Sequence, residues 1–378
     1  MIPIHKPFLP PSSLKYAHDA LDSGWISFHG KYVQMMQEKL QELLDVKYVL
    51  PVFNGTVACH LMAKELTRYW QVELKLSPFF QKLIVPNNVY VAAWNAFLFD
   101  RGDFFLIPVD ADLNTWNYDL NLLDAAIKKY PDASVLVVHN IGNILNVPAL
   151  QRKYPETLFV EDNCEGFLGT YEDKQTGTAS FASAISFFSN KNITSGEGGA
   201  FITNDVDAYE FAKCVQGQGQ SSKKFIHNEL GYNYRITNVQ AGLLVGQLEI
   251  LPQIQEMKAN IFETYRNHLK DREDVRMQAI PKETTHANWM FGVRIPKQKS
   301  FEAADAFFRE KGIEVRPMFY SIKAHKHLQN HPDIWDGDCT NADRLNKECL
   351  ILPSFPELSK WEQKHILKTL DEYLTNIE

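Results

Sequence analysis

Seven short apolar runs with helical stretches between them predict an α/β fold carried on a mostly parallel sheet. The runs lie at 48–52, 83–86, 104–109, 134–138, 158–160, 183–188 and 200–203. They are apolar throughout and do not alternate, which is the pattern of strands buried on both faces. Helical candidates at 57–69, 91–100 and 120–129 lie between several of them. Strand and helix in alternation build parallel sheets, and such sheets bind ligands beyond the carboxyl ends of their strands.

A change of texture after Tyr234 is the third observation. Residues 238–254 and 255–269 read as long helices. A mixed region follows: an apolar run at 290–295, a helical pattern at 301–311, and Gly312-Ile313-Glu314-Val315-Arg316-Pro317. Ser359 and Glu362 stand at capping-box spacing and open a last helix that runs close to the C-terminus. This organisation predicts a large domain over 1–250, including the N-terminal segment, and a smaller C-terminal α+β domain over 251–378. Residues 71–82 fit neither periodicity and read as an inserted loop. No internal repeat or low-complexity tail is seen.

The 378 residues suffice for two cores. A formal charge of −7 argues against nucleic acid and against anionic membranes as partners. The N-terminal residues lack an apolar leader core, and no run is long enough to span a bilayer. Five cysteines, odd in number and without a Cys-x-x-Cys pair, suit reduced thiols in a cytoplasmic protein.

The chemistry centres on Lys191, which follows the apolar run 183–188, and on Asp162, which ends the run 158–160. A lysine held in an apolar setting becomes a usable amine nucleophile. A buried carboxylate at a strand end can keep a heteroaromatic nitrogen protonated. The pair points to pyridoxal 5'-phosphate, with Lys191 as the Schiff-base lysine and Asp162 as the pyridinium partner. Asn54-Gly55-Thr56 follows a strand and opens a helix, a ready anion site, although Thr56 equally suits a plain helix cap. Ser186 offers a second phosphate donor. Tyr90, just past a strand end, could stack on a planar ring. Glu165, three residues beyond Asp162, falls on the same side of a helical turn. Asn233 and Arg235, in Gly231-Tyr232-Asn233-Tyr234-Arg235, could grip phosphate, as could Arg316; either arginine fits a structural ion pair equally well.

With those residues in view, the chain resembles the DegT/DnrJ/EryC1/StrS family of sugar aminotransferases over nearly its whole length. The likeness rests on Gly24-Trp25-Ile26-Ser27, Asn54-Gly55-Thr56-Val57-Ala58, Glu161-Asp162-Asn163-Cys164-Glu165-Gly166, Ser189-Asn190-Lys191-Asn192, Gly196-Glu197-Gly198-Gly199, residues 231–240 and Arg316-Pro317. The resemblance implies the aspartate aminotransferase-like fold (fold type I of the pyridoxal-phosphate enzymes) and a homodimer with shared active sites. It implies that Gly55, Thr56 and Ser186 hold the phosphate and that Asn233 reaches in from the other subunit. It further implies that Tyr90 stacks on the ring and Glu165 approaches its phenolate oxygen. Trp25, Trp289, Met290 and Arg316 would meet a nucleotide-sugar.

Within the family the chain is similar to perosamine synthases, through Asp112-Leu113-Asn114-Thr115-Trp116-Asn117, Glu165 and Gln216-Gly217-Gln218-Gly219. That implies transfer of the amino group of L-glutamate to C4 of GDP-4-keto-6-deoxymannose, with pyridoxamine 5'-phosphate as the intermediate cofactor form. The alternative is a UDP- or dTDP-linked 4-keto-6-deoxyglucose. Two departures bear on the substrate. The usual Gly-Pro-Gly-Asp-Glu turn before residue 83 is missing, and His139-Asn140-Ile141-Gly142-Asn143 replaces the more usual His-Leu-Tyr-Gly.

Overall fold

The computed structural model describes all residues except 76, 78–80, 101 and 378. Elements occur in the order α1 (Pro11–Asp22), α2 (Lys31–Leu44), β1 (Tyr48–Val52), α3 (Gly55–Val72), β2 (Gln81–Pro86), α4 (Ala92–Leu98) and β3 (Phe104–Val109). Next come α5 (Leu120–Lys129), β4 (Ser134–Val138), α6 (Val147–Lys153), β5 (Phe159–Asp162), β6 (Thr170–Tyr171), β7 (Lys174–Gln175), β8 (Ala182–Ser186) and β9 (Gly199–Thr203). The chain continues through α7 (Val206–Gln216), α8 (Asn238–Leu248), α9 (Leu251–Leu269), β10 (Arg276–Met277), β11 (Thr284–Thr285) and β12 (Phe291–Arg294). It ends with α10 (Phe301–Glu310), α11 (Thr340–Glu348), β13 (Cys349–Leu352) and α12 (Lys360–Asn376).

The expected sheet is present: seven strands in the order β1-β9-β8-β5-β4-β2-β3. β8, β5, β4, β2 and β3 run parallel, and β9 lies antiparallel between β8 and β1. All seven continuous apolar runs form these strands. Their two faces are covered by separate apolar clusters, one centred on α3 and α4 with Trp94 and Phe104, the other on α5 and α6 with Tyr118 and Phe159. A third cluster packs α1, α2 and α8 behind β9. There the α1–α8 crossing is so close that a Cβ at Gly246 would lie 2.2 Å from the Ser13 nitrogen, so only glycine fits.

A further core gathers α9, α10, α12, β12 and β13 with Ile2, whose backbone pairs with Ile313. Its sheet is three-stranded and antiparallel, β10-β12-β13. The capping box at Ser359 forms as expected, with Ser359 and Glu362 satisfying each other's backbone N–H groups.

Two expectations are corrected. The break between the long helices falls at Glu249–Ile250, not after Ile254, because Pro252 sits in the first turn of α9, where its missing N–H costs nothing. The supposed loop at 71–82 is largely regular at its edges, since residues 71–72 end α3 and 81–82 begin β2. Of the rest of that stretch, 76 and 78–80 lie outside the described residues.

Candidate active site

The carboxyl ends of β5 and β8 and the start of α3 open on one cavity of about 400 Å³. It is lined by Gly55, Thr56, Tyr90, Asp162, Glu165, Ser186, Lys191, Trp289, Met290 and Arg316, all of them singled out from the sequence. Two further candidates, Trp25 and Asn233, do not reach it within one chain. Trp25 is exposed, and its carbonyl accepts from Asn238 Nδ2 at 2.6 Å. Asn233 is also exposed and is bridged to Gly217. Arg235 lies away from the cavity as well, with its guanidinium 4.5 Å from the Phe28 ring centroid.

The anion-binding end is built from α3. Its cap is Asn54, not Thr56: Asn54 Oδ1 accepts from Val57 N at 3.0 Å. The Gly55 and Thr56 amides precede the first intrahelical bonds and are available to a ligand. Gly55 is required for space, because a Cβ there would meet Ser186 Cβ at 2.7 Å and Cys164 Sγ at 2.8 Å. The Ser186 hydroxyl oxygen accepts from Phe188 N at 3.3 Å, which leaves its proton to donate elsewhere.

At the other end, Asp162 is buried, and its Oδ1 accepts from Cys164 N at 3.0 Å. The thiols of Cys59 and Cys164 lie with this carboxylate in one group, all within 4.8 Å of one another. Hydrogen bonding to Cys59 together with burial pushes the Cys164 thiol well up, so it stays neutral. Burial also pushes the Glu165 carboxyl up to about 7, opposed by the nearby Lys191 charge and by the Ile141 N–H, which donates to Oε2 at 2.8 Å.

Lys191 lies in the turn after β8, and its apolar setting comes from Trp289, in the stretch just before β12, rather than from its own strand. The amine rests 3.9 Å from the centre of the Trp289 ring. Trp289 is held in turn by Nε1, which donates to Asn190 O at 2.8 Å, and through its own carbonyl, which accepts from Lys258 Nζ at 2.8 Å. Tyr90 is largely exposed, with Phe319 edge-on to it at 6.0 Å, so its ring face is free to cover a planar ligand. Arg316 is half-exposed and only loosely tied to Glu314, at 3.5 Å, which leaves the guanidinium free to meet an anion.

Several lining residues had no signal that sequence reasoning used. Asn54 belongs to the Asn-Gly-Thr block and its strand–helix position could have marked it as the cap. Ile141, Phe319 and Ile351 come from turns and strands whose approach depends on tertiary packing alone. A glycine-floored helix start, two hydroxyls, a buried carboxylate and an amine under an aromatic ring suit a phosphorylated heteroaromatic aldehyde. The Gly55 cradle, which a methyl group would fill, fits that group best at its phosphate end.

Comparison with known proteins agrees. The DegT/DnrJ/EryC1/StrS aminotransferase family matches residues 10–371. Similar curated proteins include the GDP-perosamine synthase of Escherichia coli O157:H7, 31% identical over 99% of both chains. Another is the GDP-perosamine synthase of Vibrio cholerae, 29% identical over 100% of both. Among solved structures, a GDP-4-keto-6-deoxymannose-3-dehydratase variant with bound GDP-perosamine superposes with a TM-score of 0.87, covering 98% of this chain and 100% of that one at 22% identity. The same kind of dehydratase with a trapped PLP-glutamate geminal diamine gives 0.86, covering 97% and 100% at 22% identity.

Proposed function

Because the chain belongs to the DegT/DnrJ/EryC1/StrS aminotransferase family and is a pyridoxal-phosphate-dependent aminotransferase, we propose that it moves the amino group of L-glutamate to C4 of GDP-4-keto-6-deoxymannose. The observation that carries the reading is the meeting of Lys191, Asp162 and the Gly55 cradle in one cavity. Full-length likeness to two GDP-perosamine synthases supports the choice of sugar nucleotide.

The bound cofactor supplies an electron sink that acidifies the carbon bearing the nitrogen. The chain does the rest. Gly55 and Thr56 amides and the Ser186 hydroxyl hold the phosphate. The Asp162 carboxylate holds the ring nitrogen in its charged form, and Tyr90 covers one ring face. Lys191 Nζ takes a proton from the donor's α-carbon and later returns one to C4 of the sugar, which needs the amine within reach of both. Arg316 binds an anionic group of the substrate at the cavity mouth, and Met290 narrows the space beside it. Trp25 and Asn233, exposed and remote from their own cavity, fit a homodimer in which Asn233 of the partner subunit completes the phosphate site. No helix among the described residues is long and apolar enough to cross a membrane, in keeping with work on soluble metabolites.

The test is product analysis by NMR and mass spectrometry, with glutamate as donor and a panel of GDP-, UDP- and dTDP-linked 4-keto-6-deoxy sugars. The reading expects a 4-amino product from the GDP-mannose-derived sugar above all. Preference for a UDP or dTDP sugar would replace that assignment, and no amino product from any of them would end it.

A further inference from the structure

Among the described residues, Ile141 is the only β-branched one in the left-handed region, with φ 59 and ψ 16. Such a conformation persists only where the surroundings over-determine it, and it tends to occur at functional sites. The surroundings here are a clamp of side-chain amides. Asn140 N donates to Asn117 Oδ1 at 2.9 Å, and Asn140 Nδ2 to Trp116 O at 2.8 Å. Asn117 Nδ2 donates to Asn143 O at 2.8 Å, and Asn143 Nδ2 to Thr115 O at 2.9 Å and Ala279 O at 3.0 Å. Gln278 Nε2 reaches Asn140 O at 3.1 Å from the far side. Both ends of the turn are therefore fixed, and the residue between them has little freedom.

What this arrangement achieves is one contact. The Ile141 N–H points into the cavity wall and meets Glu165 Oε2 at 2.8 Å. Glu165 Oε1 has no hydrogen-bond partner among the described residues, and Glu165 lines the cavity. We propose that the 139–143 turn is a positioning device for Glu165, in which Ile141 is strained so that its N–H holds the carboxylate and favours its charged form. The charged groups facing Glu165 are Lys191 and Asp162; Arg316 and Glu197 lie on the cavity wall, and the neighbouring Cys59 and Cys164 thiols are neutral. The consequence for catalysis, that Glu165 shares a proton with the cofactor's phenolate oxygen, rests on the function proposed above, whereas the device itself does not.

The experiment titrates the Glu165 carboxyl by NMR in the full chain without cofactor, labelled at glutamate carboxyl carbons and assigned by signal loss in Glu165→Gln. The wild type should show an inflection near 7. Asn140→Ala loosens the clamp; losing an N–H donated to the charged carboxylate should move the inflection up by about one unit. Ile141→Gly keeps the N–H and suits the left-handed backbone, so its inflection should stay where it was. Should Asn140→Ala fail to fold, Asn143→Ala opens the other side of the turn and decides the matter. An unmoved inflection in a folded clamp variant overturns the proposal. If the inflection moves but the absorbance of the bound cofactor does not follow it with pH, the device stands and the contact between Glu165 and the ring falls.

Discussion

Adding a single methyl group at Gly55 probes the cofactor site where its geometry is tightest. The new Cβ of Gly55→Ala would lie 2.7 Å from Ser186 Cβ and 2.8 Å from Cys164 Sγ. Relief to an ordinary 3.4 Å contact needs a movement of about 0.7 Å. Both neighbours belong to short, buried segments at the ends of β8 and β5, so neither is free to swing away. Overpacking of this kind costs about 1–3 kcal/mol. In a helix, alanine regains about 1 kcal/mol over glycine, so the cofactor-free chain should lose roughly 0–2 kcal/mol. With the phosphate held as proposed, the cofactor would suffer more, because the shift would displace the Ser186 hydroxyl and crowd that phosphate. If most of the strain appears on binding, affinity falls about 10–100-fold, at roughly 1.4 kcal/mol per tenfold. Absorbance titration of cofactor-free protein with pyridoxal phosphate gives the affinity, and thermal unfolding without cofactor gives the stability. An affinity within twofold of wild type, with unchanged stability, would refute the placement of the phosphate against Gly55.

Other outcomes follow from the same geometry. Burial pushes the Lys258 amine down to about 7 from its usual 10.5, so between those values the unfolded chain binds a proton that the folded chain does not. Stability should therefore rise with pH across that window, with a slope approaching about 1.4 kcal/mol per pH unit, and level off beyond it. In Lys258→Met the slope should flatten in urea titrations, while the Trp289 and Ser354 carbonyls lose their donor and stability drops by about 1–3 kcal/mol. Equal slopes in the two proteins would show that another group titrates. Mixing Lys191→Ala protein with Asn233→Ala protein should restore activity through hybrid dimers that hold one intact site; no recovery after subunit exchange would argue that each chain carries its whole site.

The sheet was legible because its strands are buried on both faces and so read as unbroken apolar runs. That Asp162 and Lys191 would meet at one cavity was legible because each follows such a run within three residues, at the carboxyl edge of a parallel sheet. The break between α8 and α9 was missed because apolar spacing continues across it, although Pro252 was there as a helix-start signal. Trp289 was flagged only through family likeness, and for a substrate contact. That it rests on the Lys191 amine depends on the stretch before β12 packing against the turn after β8, which no local pattern encodes. Ile141 was equally hidden, since nothing in a sequence marks a β-branched residue for a left-handed turn. Trp25 and Asn233 lie away from the cavity in a single chain, and a second subunit is what would bring them to one.

The most direct test of the central claim is to add pyridoxal phosphate, reduce the protein with borohydride, digest it and map the fixed cofactor by mass spectrometry. The account predicts the adduct on the peptide that carries Lys191 and its loss, with the visible absorbance, in Lys191→Ala. A label fixed at Lys258 or any other amine, or no label at all, would contradict it.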